Sequence, residues 1–351
     1  MGAALALAER GRGRTAPNPN VGCVIVRDGR VVGRGWTQAG GRPHAEAMAL
    51  AEAGAKARGA TAYVTLEPCA HKSPRGPACS DLLIESGVSR VVAALEDPDL
   101  RTAGQGFARL QAAGITVTHG VRVEDALRSM AGFLTRQARG RPHVTLKLAT
   151  SLDGCIAMAD GSSRWITGPQ ARAHAHLERS RHEAILVGRG TYEADAPRLD
   201  VRLPGLEDRG PKRVLLSTTL TAPSPRHSSE SWNIPVGDHD RASPGDPSVR
   251  WGDGIGNWTV ISSPQAITTL PNTDHILVEG GAAVASAFLA ADLVDRLLLY
   301  RAPILIGGGK HALRDIGLTD LADAHGRWAI VDARQLGSDR LEVYERERNE
   351  A

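Results

Sequence analysis

The chain has 351 residues, 42% apolar and 23% charged. At roughly 100–200 residues per domain this predicts two folded domains and excludes wholesale disorder. No apolar run approaches the ~18 residues that cross a bilayer, and the short Ala3–Ala8 run precedes the nearest charges, unlike a secretory leader. Four cysteines in so long a chain do not make a disulfide scaffold. The chain therefore reads as cytoplasmic, and paired Cys near His point to metal or catalysis. The net charge of +3 hides an asymmetry: residues 1–142 carry 19 Lys/Arg against 12 Asp/Glu, the remainder 23 against 27. A basic first half suits an anionic partner, either nucleic acid or a phosphorylated small molecule. Its four aromatic residues (Trp36, Tyr63, Phe107 and Phe133) are few for base stacking.

In chain order, Ala3–Arg10 reads as the end of a helix. Val21–Val26 and Val31–Gly35 read as strands joined by the hairpin signal Asp28-Gly29. Ala45–Arg58 has helical spacing and stops at Gly59. Ala62–Leu66 is a buried-type strand, Cys79–Ser86 a helix, Val88–Leu95 a strand, Phe107–Ala113 a helix and Gly114–Val117 a strand. Gly140-Arg141-Pro142 looks like the joint, giving domains 1–142 and 143–351. Strand signals then recur at Val144–Leu148, Ala184–Val187, Arg213–Ser217, Trp258–Ile261, His275–Val278 and Arg296–Tyr300. Helices are expected over Pro169–Arg181 and Ala282–Ala291, and a closing hairpin from Trp328–Val331 and Leu341–Tyr344. The Pro-, Ser- and Gly-rich segment 221–256 reads as a surface insertion. Both halves are layered α/β.

The sharpest chemical signal is His44-Ala45-Glu46 at the head of a helix, with Pro68-Cys69 and Cys79 after a strand. One imidazole and two thiolates give zinc three tetrahedral ligands and leave a fourth position for water, whose pKa the metal lowers towards neutrality. Glu46, beside the ligand, would move the proton from water to a leaving amine. His-x-Glu with Pro-Cys and a second Cys is the arrangement of zinc deaminases of amino-heterocycles. The usual signature separates its cysteines by two residues, whereas nine intervene here, and that loop holds His71, Lys72 and Arg75. His71 as a fourth ligand would instead close the site. Cys23 reads as core, and Cys155 sits at a turn without chemistry.

Thr15-Ala16-Pro17-Asn18-Pro19-Asn20-Val21-Gly22, His44-Ala45-Glu46 and Thr65-Leu66-Glu67-Pro68-Cys69-Ala70-His71 closely resemble the deaminase half of the bifunctional riboflavin-biosynthesis deaminase/reductase family. The likeness continues in Lys147-Leu148-Ala149-Thr150-Ser151-Leu152-Asp153-Gly154, Ser163-Arg164-Trp165-Ile166-Thr167, Asp195-Ala196-Pro197 and Val278-Glu279-Gly280-Gly281. The resemblance implies a cytidine-deaminase-like α/β/α domain followed by a dihydrofolate-reductase-like α/β domain. The first would deaminate 2,5-diamino-6-(5-phosphoribosylamino)pyrimidin-4(3H)-one. The second would use NADPH to reduce the ribosyl carbon of the deaminated product.

Carried over by residue, the resemblance makes His44, Cys69 and Cys79 zinc ligands and Glu46 the proton shuttle. Asn18, His71 and Arg75 would contact the first substrate. Ala149, Trp165, Thr191, Asp195, Ser217, Gly281, Ala282, Ala283, Val284, Ala285, Ser286 and Ala287 would line the NADPH site. Ser163, Arg179, Leu199, Arg202 and Glu279 would contact the second substrate, with Arg forks suited to phosphate. Cys155 and Ser162 stand where the family usually has Arg and Glu. A homo-oligomer is expected, with no nucleic acid or membrane partner.

No Gly-x-Gly-x-x-Gly follows a strand, so an ordinary dinucleotide-binding unit is not expected. Gly307-Gly308-Gly309-Lys310 reads as a turn. Glu279-Gly280-Gly281, between a strand and a helix, is better placed to meet a diphosphate. Ser217 is either a polar turn residue or a contact to the cofactor's 2′-phosphate. The competing readings are a nucleic-acid adenosine or cytidine deaminase with an accessory nucleotide-binding domain, and a zinc-stapled structural module.

Overall fold

The computed structural model describes residues 1–71, 75–219 and 257–348; Lys72 and the expected insertion 221–256 lie outside them. In the first half, α1 (Gly2–Ala8) precedes the hairpin of β1 (Gly22–Arg27) and β2 (Arg30–Trp36). Asp28 and Gly29 both take positive φ, 49° and 73°, as a two-residue turn matched to strand twist requires. There follow α2 (Ala45–Ala53), β3 (Thr61–Leu66), α3 (Cys79–Ser86), β4 (Arg90–Leu95), α4 (Gln105–Ala112), β5 (Thr116–Thr118), α5 (Val123–Ser129) and α6 (Ala131–Arg139). The sheet order is β2-β1-β3-β4-β5, with β1 antiparallel to both neighbours and β3, β4 and β5 parallel. The helix expected over Ala45–Arg58 is shorter: α2 ends at Gly54, whose φ of 53° turns the chain into a 3-10 segment, Gly54–Ala57.

Helix α2 packs on the hairpin with almost nothing between the backbones. A Cβ on Gly33 would lie 2.1 Å from the Ala49 carbonyl oxygen, and one on Gly35 2.1 Å from that of Ala45. Ala45, Ala49 and Ala53 form the buried face at helical spacing. This contact sets how deep His44 and Glu46 sit.

The second half contains β6 (His143–Thr150), β7 (Cys155–Ala157), α7 (Pro169–Arg179), β8 (Ala184–Gly188), α8 (Arg189–Asp195), β9 (Lys212–Leu216), β10 (Trp258–Ile261), β11 (His275–Val278), α9 (Ala282–Ala290), β12 (Arg296–Arg301), β13 (Lys310–His311), β14 (Trp328–Leu336) and β15 (Asp339–Arg346). Its eight-stranded sheet runs β10-β9-β8-β11-β6-β12-β15-β14, parallel through β12, with β15 and β14 antiparallel at the edge. Leu146, Leu186, Ile276 and Phe288 belong to its main core. Cys155 is not in a turn: it is buried in β7, which pairs with β13. Gly307–Gly309 is the expected turn, closed by Asp153, whose carboxylate accepts from Gly307 N at 2.7 Å. Among the described residues no helix is long and apolar enough to cross a membrane.

The halves meet along the N-terminal ends of β8 and β11, and the charge asymmetry is partly spent there. Arg14 lies 3.4 Å from Asp208, Arg128 3.7 Å from Glu345, and Arg136 3.4 Å from Asp274. Buried Arg12 places its charge near Glu178. At the joint, Arg141 donates to both Asp295 carboxylate oxygens, at 2.6 and 2.8 Å.

Asp274 is buried beside Glu183. Burial first, and then Glu183, outweigh Arg136 and push its carboxyl up to about 7. Its folded-state pKa lies above its unfolded value, so the stability it contributes is present at low pH and lost as pH rises towards 7. Asp274→Asn should therefore reduce the fall in melting temperature between about pH 5.5 and about pH 8. Thermal melts with unchanged pH dependence in the variant would count against this.

Candidate functional site

The first cavity, about 360 Å³, opens beyond the C-terminal end of β3. His44 caps the start of α2, Cys69 follows β3, and Cys79 opens α3. His44 Nδ1 lies 3.2 Å from Cys79 Sγ and 3.7 Å from Cys69 Sγ. All three donor atoms fall within 4.8 Å of one another. The edges of a tetrahedral zinc site with these ligands are roughly 3.5–3.8 Å, so the donor set fits the ion.

The nine-residue separation of the cysteines is closed by hydrogen bonds. Cys79 N donates to Cys69 Sγ at 3.3 Å, and Ser80 Oγ donates to the Cys69 carbonyl at 3.0 Å. The mutual Cys69–Cys79 contact lowers the Cys69 thiol pKa and raises that of Cys79, so one sulfur holds the proton that a dication would displace. On its other side the imidazole is held by Asn18, whose amide lies 3.0 Å from His44 Nε2. Such a partner fixes the ring of a metal-binding histidine.

Glu46 is 3% exposed and faces the same cavity; burial foremost pushes its carboxyl up to about 7, the range of a proton-transferring acid–base group. Among the described residues His71 does not join the three-donor cluster. Its Nδ1 lies 3.3 Å from Thr102 Oγ1, on the far wall. Arg75 donates to the Gly40 carbonyl at 2.6 Å, and with Arg42 and Arg101 it lines the cavity. That wall is held by Glu67, whose carboxylate accepts from the backbone N–H groups of Asp97, Gly104 and Phe107 at 3.2, 2.9 and 3.1 Å.

The second cavity, about 630 Å³, lies at the C-terminal ends of β6, β8 and β11. Ala149, Trp165, Thr191, Asp195, Ser163, Arg179, Leu199, Arg202 and Glu279 all line it. Arg179 does not hold its fork open: it donates to both Glu279 oxygens, at 2.8 and 2.9 Å. Against the upward push of desolvation, this pairing holds the Glu279 carboxyl down at about 2. Arg202, mostly exposed and 3.2 Å from Asp200, is the more accessible cation of the expected pair.

Gly281 is the cap of α9, with no side-chain hydrogen bond there. The backbone N–H groups of Gly281, Ala282 and Ala283 are the unpaired donors of a helix start, suited to a diphosphate. Val284, Ala285 and Ser286 point into the core instead, and Ser286 Oγ accepts from Arg314 N at 2.7 Å, so their side chains are packing groups. Ala287 is half-buried one turn further along; neither it nor Gly281, Ala282, Ala283 or Ser217 is among the residues that line the cavity. Ser217, buried after β9, accepts from Thr219 N at 3.3 Å.

Sequence reasoning missed several residues that the structure brings to the two sites. Arg42, Asp97, Asp99 and Arg101 line the first cavity; Lys147, Arg172 and Arg198 line the second. Arg189, opening α8, donates to Thr219 Oγ1 at 2.6 Å, which places a cation close to Ser217, the acceptor from Thr219 N. Its only sequence signal was its place after the buried strand Ala184–Gly188.

Two family models match the chain. The cytidine and deoxycytidylate deaminase zinc-binding region covers residues 1–95, and the RibD C-terminal domain covers residues 142–341. The riboflavin biosynthesis protein RibD of Escherichia coli K12 is 43% identical over 358 residues, 97% of this chain and 96% of that protein. The Haemophilus influenzae protein of the same name is 38% identical, covering 97% and 94%. Among solved structures, Acinetobacter baumannii RibD aligns with a TM-score of 0.79 at 34% identity, covering 99% of this chain and 98% of that one. A Thermotoga maritima diaminohydroxyphosphoribosylaminopyrimidine deaminase/5-amino-6-(5-phosphoribosylamino)uracil reductase aligns with a TM-score of 0.79 at 32% identity, covering 99% and 97%.

The three-donor geometry predicts one zinc per chain. Cys79→Ser, which replaces a thiolate by a weakly ligating hydroxyl, should lose most of it. A full zinc equivalent in the purified variant, measured by metal analysis, would remove Cys79 from the ligand set.

Proposed function

This chain belongs to the RibD family of riboflavin biosynthesis proteins, and from that membership and its two cavities we infer two consecutive reactions, a hydrolytic deamination and an NADPH-dependent reduction. The substrate is 2,5-diamino-6-(5-phosphoribosylamino)pyrimidin-4(3H)-one, whose 2-amino group leaves as ammonia in residues 1–142. The resulting 5-amino-6-(5-phosphoribosylamino)uracil is reduced to the ribitylamino product in residues 143–351. The observation that carries the reading is one chain holding both a His/Cys/Cys donor set beside a buried Glu and a separate 630 Å³ cavity at the C-terminal ends of parallel strands.

In the first cavity, His44, Cys69 and Cys79 would hold zinc, which when bound would supply a water of lowered pKa. The buried Glu46 carboxyl would act as the acid–base group that carries a proton to the leaving amine. Asn18 and His71 would flank the pyrimidine, and the phosphate would meet the cations Arg42, Arg75 and Arg101 that line the cavity, of which Arg75 donates to the Gly40 carbonyl and Arg101 is closed on Asp99. NADPH, when bound, would supply the hydride to the second cavity. The N–H groups of Gly281, Ala282 and Ala283 would hold its diphosphate, and Arg189, Ser217 and Thr219 its 2′-phosphate. Glu279, braced by Arg179, and the exposed Arg202 orient the phosphoribosyl chain. The partner is thus a phosphorylated pyrimidine, met in the cytoplasm. The nucleic-acid deaminase reading leaves the second cavity without a task.

We also propose that the chain is a homo-oligomer. Among the described residues the outermost strand β14 leaves one side unpaired, and it exposes Ile330 and Val331 by 55% and 39%, the kind of edge another copy covers. Light scattering that reports a monomer at all concentrations would exclude it.

Incubation with the diaminopyrimidine, with and without NADPH, separates the two steps: ammonia should appear in both cases, and NADPH absorbance should fall only after ammonia release. Glu46→Gln keeps shape but cannot shuttle a proton, so it should lose roughly 10²- to 10⁴-fold in ammonia release while retaining zinc. Wild-type deamination by that variant would rule out its role. Ser217→Asp places a negative charge against the 2′-phosphate and should weaken NADPH at least about tenfold more than NADH. Equal losses for both cofactors would mean that Ser217 only shapes the turn.

A further inference from the structure

Helix α6 lines the deaminase cavity with one face and packs against the reductase half with another. Phe133 and Gln137, one turn apart, line the deaminase cavity. Gly132 and Arg136, on the neighbouring face, press on the reductase half. Gly132 N donates to His275 Nε2 at 3.1 Å, and a Cβ on Gly132 would lie 2.3 Å from the imidazole Cε1, so helix backbone and ring touch without slack. Arg136 donates to the Thr273 carbonyl from Nε at 3.0 Å and lies 3.4 Å from the Asp274 carboxylate.

His275 is the first residue of β11, a strand paired on one side with β6 from His275 to Val278 and on the other with β8 from Ile276 to Val278. At the far end of this strand, roughly 13 Å away, come Glu279 in the reductase cavity and then Gly280 and Gly281 at the start of α9. A short strand bonded on both sides moves as a unit rather than bending. The contact between α6 and His275 therefore fixes one end of an element whose other end faces the second active site.

We propose that α6 is a positioning helix shared by the two active sites, so that filling the cofactor site of the reductase half changes substrate affinity in the deaminase half. The proposal rests on the reading of the second cavity as an NADPH site. A cofactor diphosphate on the N–H groups at Gly281 would bear on the end of β11, and the clamp on His275 and Thr273 would pass the adjustment to Phe133 and Gln137. Such coupling is a free energy and is reciprocal: deaminase substrate should change cofactor affinity by the same factor.

The test uses full-length, zinc-loaded enzyme and NADP⁺, which lacks a hydride to give, so deamination proceeds alone. Ammonia release is measured with and without saturating NADP⁺, and NADP⁺ binding is measured directly by calorimetry. The KM for deamination should shift by roughly fivefold with NADP⁺ bound, with a smaller change in kcat. Arg136→Met, which keeps the stem but neither donor nor charge, should bind zinc and NADP⁺ yet lose most of the shift. A contact that served folding alone would not make one site's KM depend on the other's ligand. Bound NADP⁺ with an unchanged wild-type KM overturns the proposal without any variant. A full shift surviving in Arg136→Met overturns the route through α6, and also reveals any direct competition by NADP⁺ in the first cavity. Absence of NADP⁺ binding overturns the functional reading of the second half, and the proposal with it.

Discussion

The approach of α2 to the β1–β2 hairpin is the constraint from which the first active site follows. With only glycine at positions 33 and 35, the helix backbone touches the sheet, and its alanine face fills the space that larger side chains would hold open. Two consequences are chemical. His44, the residue before the helix, reaches Cys69 and Cys79 from one side, and Glu46 is carried below the surface, where burial keeps its proton available near neutrality. A single methyl on either glycine would push the helix outward and separate the histidine from the thiolates, because close-packed backbone cannot give by an ångström.

The opposite wall is built by a different device. Glu67 turns a buried carboxylate on three backbone N–H groups of the 97–107 segment, and so fixes Asp97, Asp99 and Arg101 around the cavity two residues from a metal ligand. Hydrogen bonds to an ionised acceptor are about twice as strong as neutral ones. The loop is thus held from within, and its side chains are left to face the ligand.

The chemistry that was legible in the sequence is the chemistry that is local. His44-Ala45-Glu46 and the Cys69 and Cys79 positions each have a meaning set by residue type and neighbours, and the strand–helix rhythm predicts both sheets. What was not legible depends on distance or on missing signals. Helices α5 and α6 begin after Arg122 and Met130, neither of which caps a helix, so nothing marked their starts. Helix α9 is almost wholly apolar, leaving no periodicity to tell that Val284, Ala285 and Ser286 face inwards while Ala283 is exposed. Arg42, Arg101, Lys147 and Arg189 are lone charges in sequence and acquire a role only when loops far apart converge. The basic first half was read as meeting an anionic ligand, yet Arg14, Arg128 and Arg136 meet acids of the second half.

That last use of charge bears on how the two reactions are arranged. The deaminase half docks on the N-terminal ends of β8 and β11, whereas the reductase cavity opens at the C-terminal ends of the same strands. The sheet itself stands between them, close-packed and apolar, with Leu186 and Ile276 completely buried. A charged phosphate ester has no path through such a layer, since burying an unpaired charge costs several kcal/mol at least. Both cavities are lined by cations, Arg42, Arg75 and Arg101 in one and Lys147, Arg172, Arg198 and Arg202 in the other. What passes through the protein between the two sites is position, along α6 and β11, and not the intermediate.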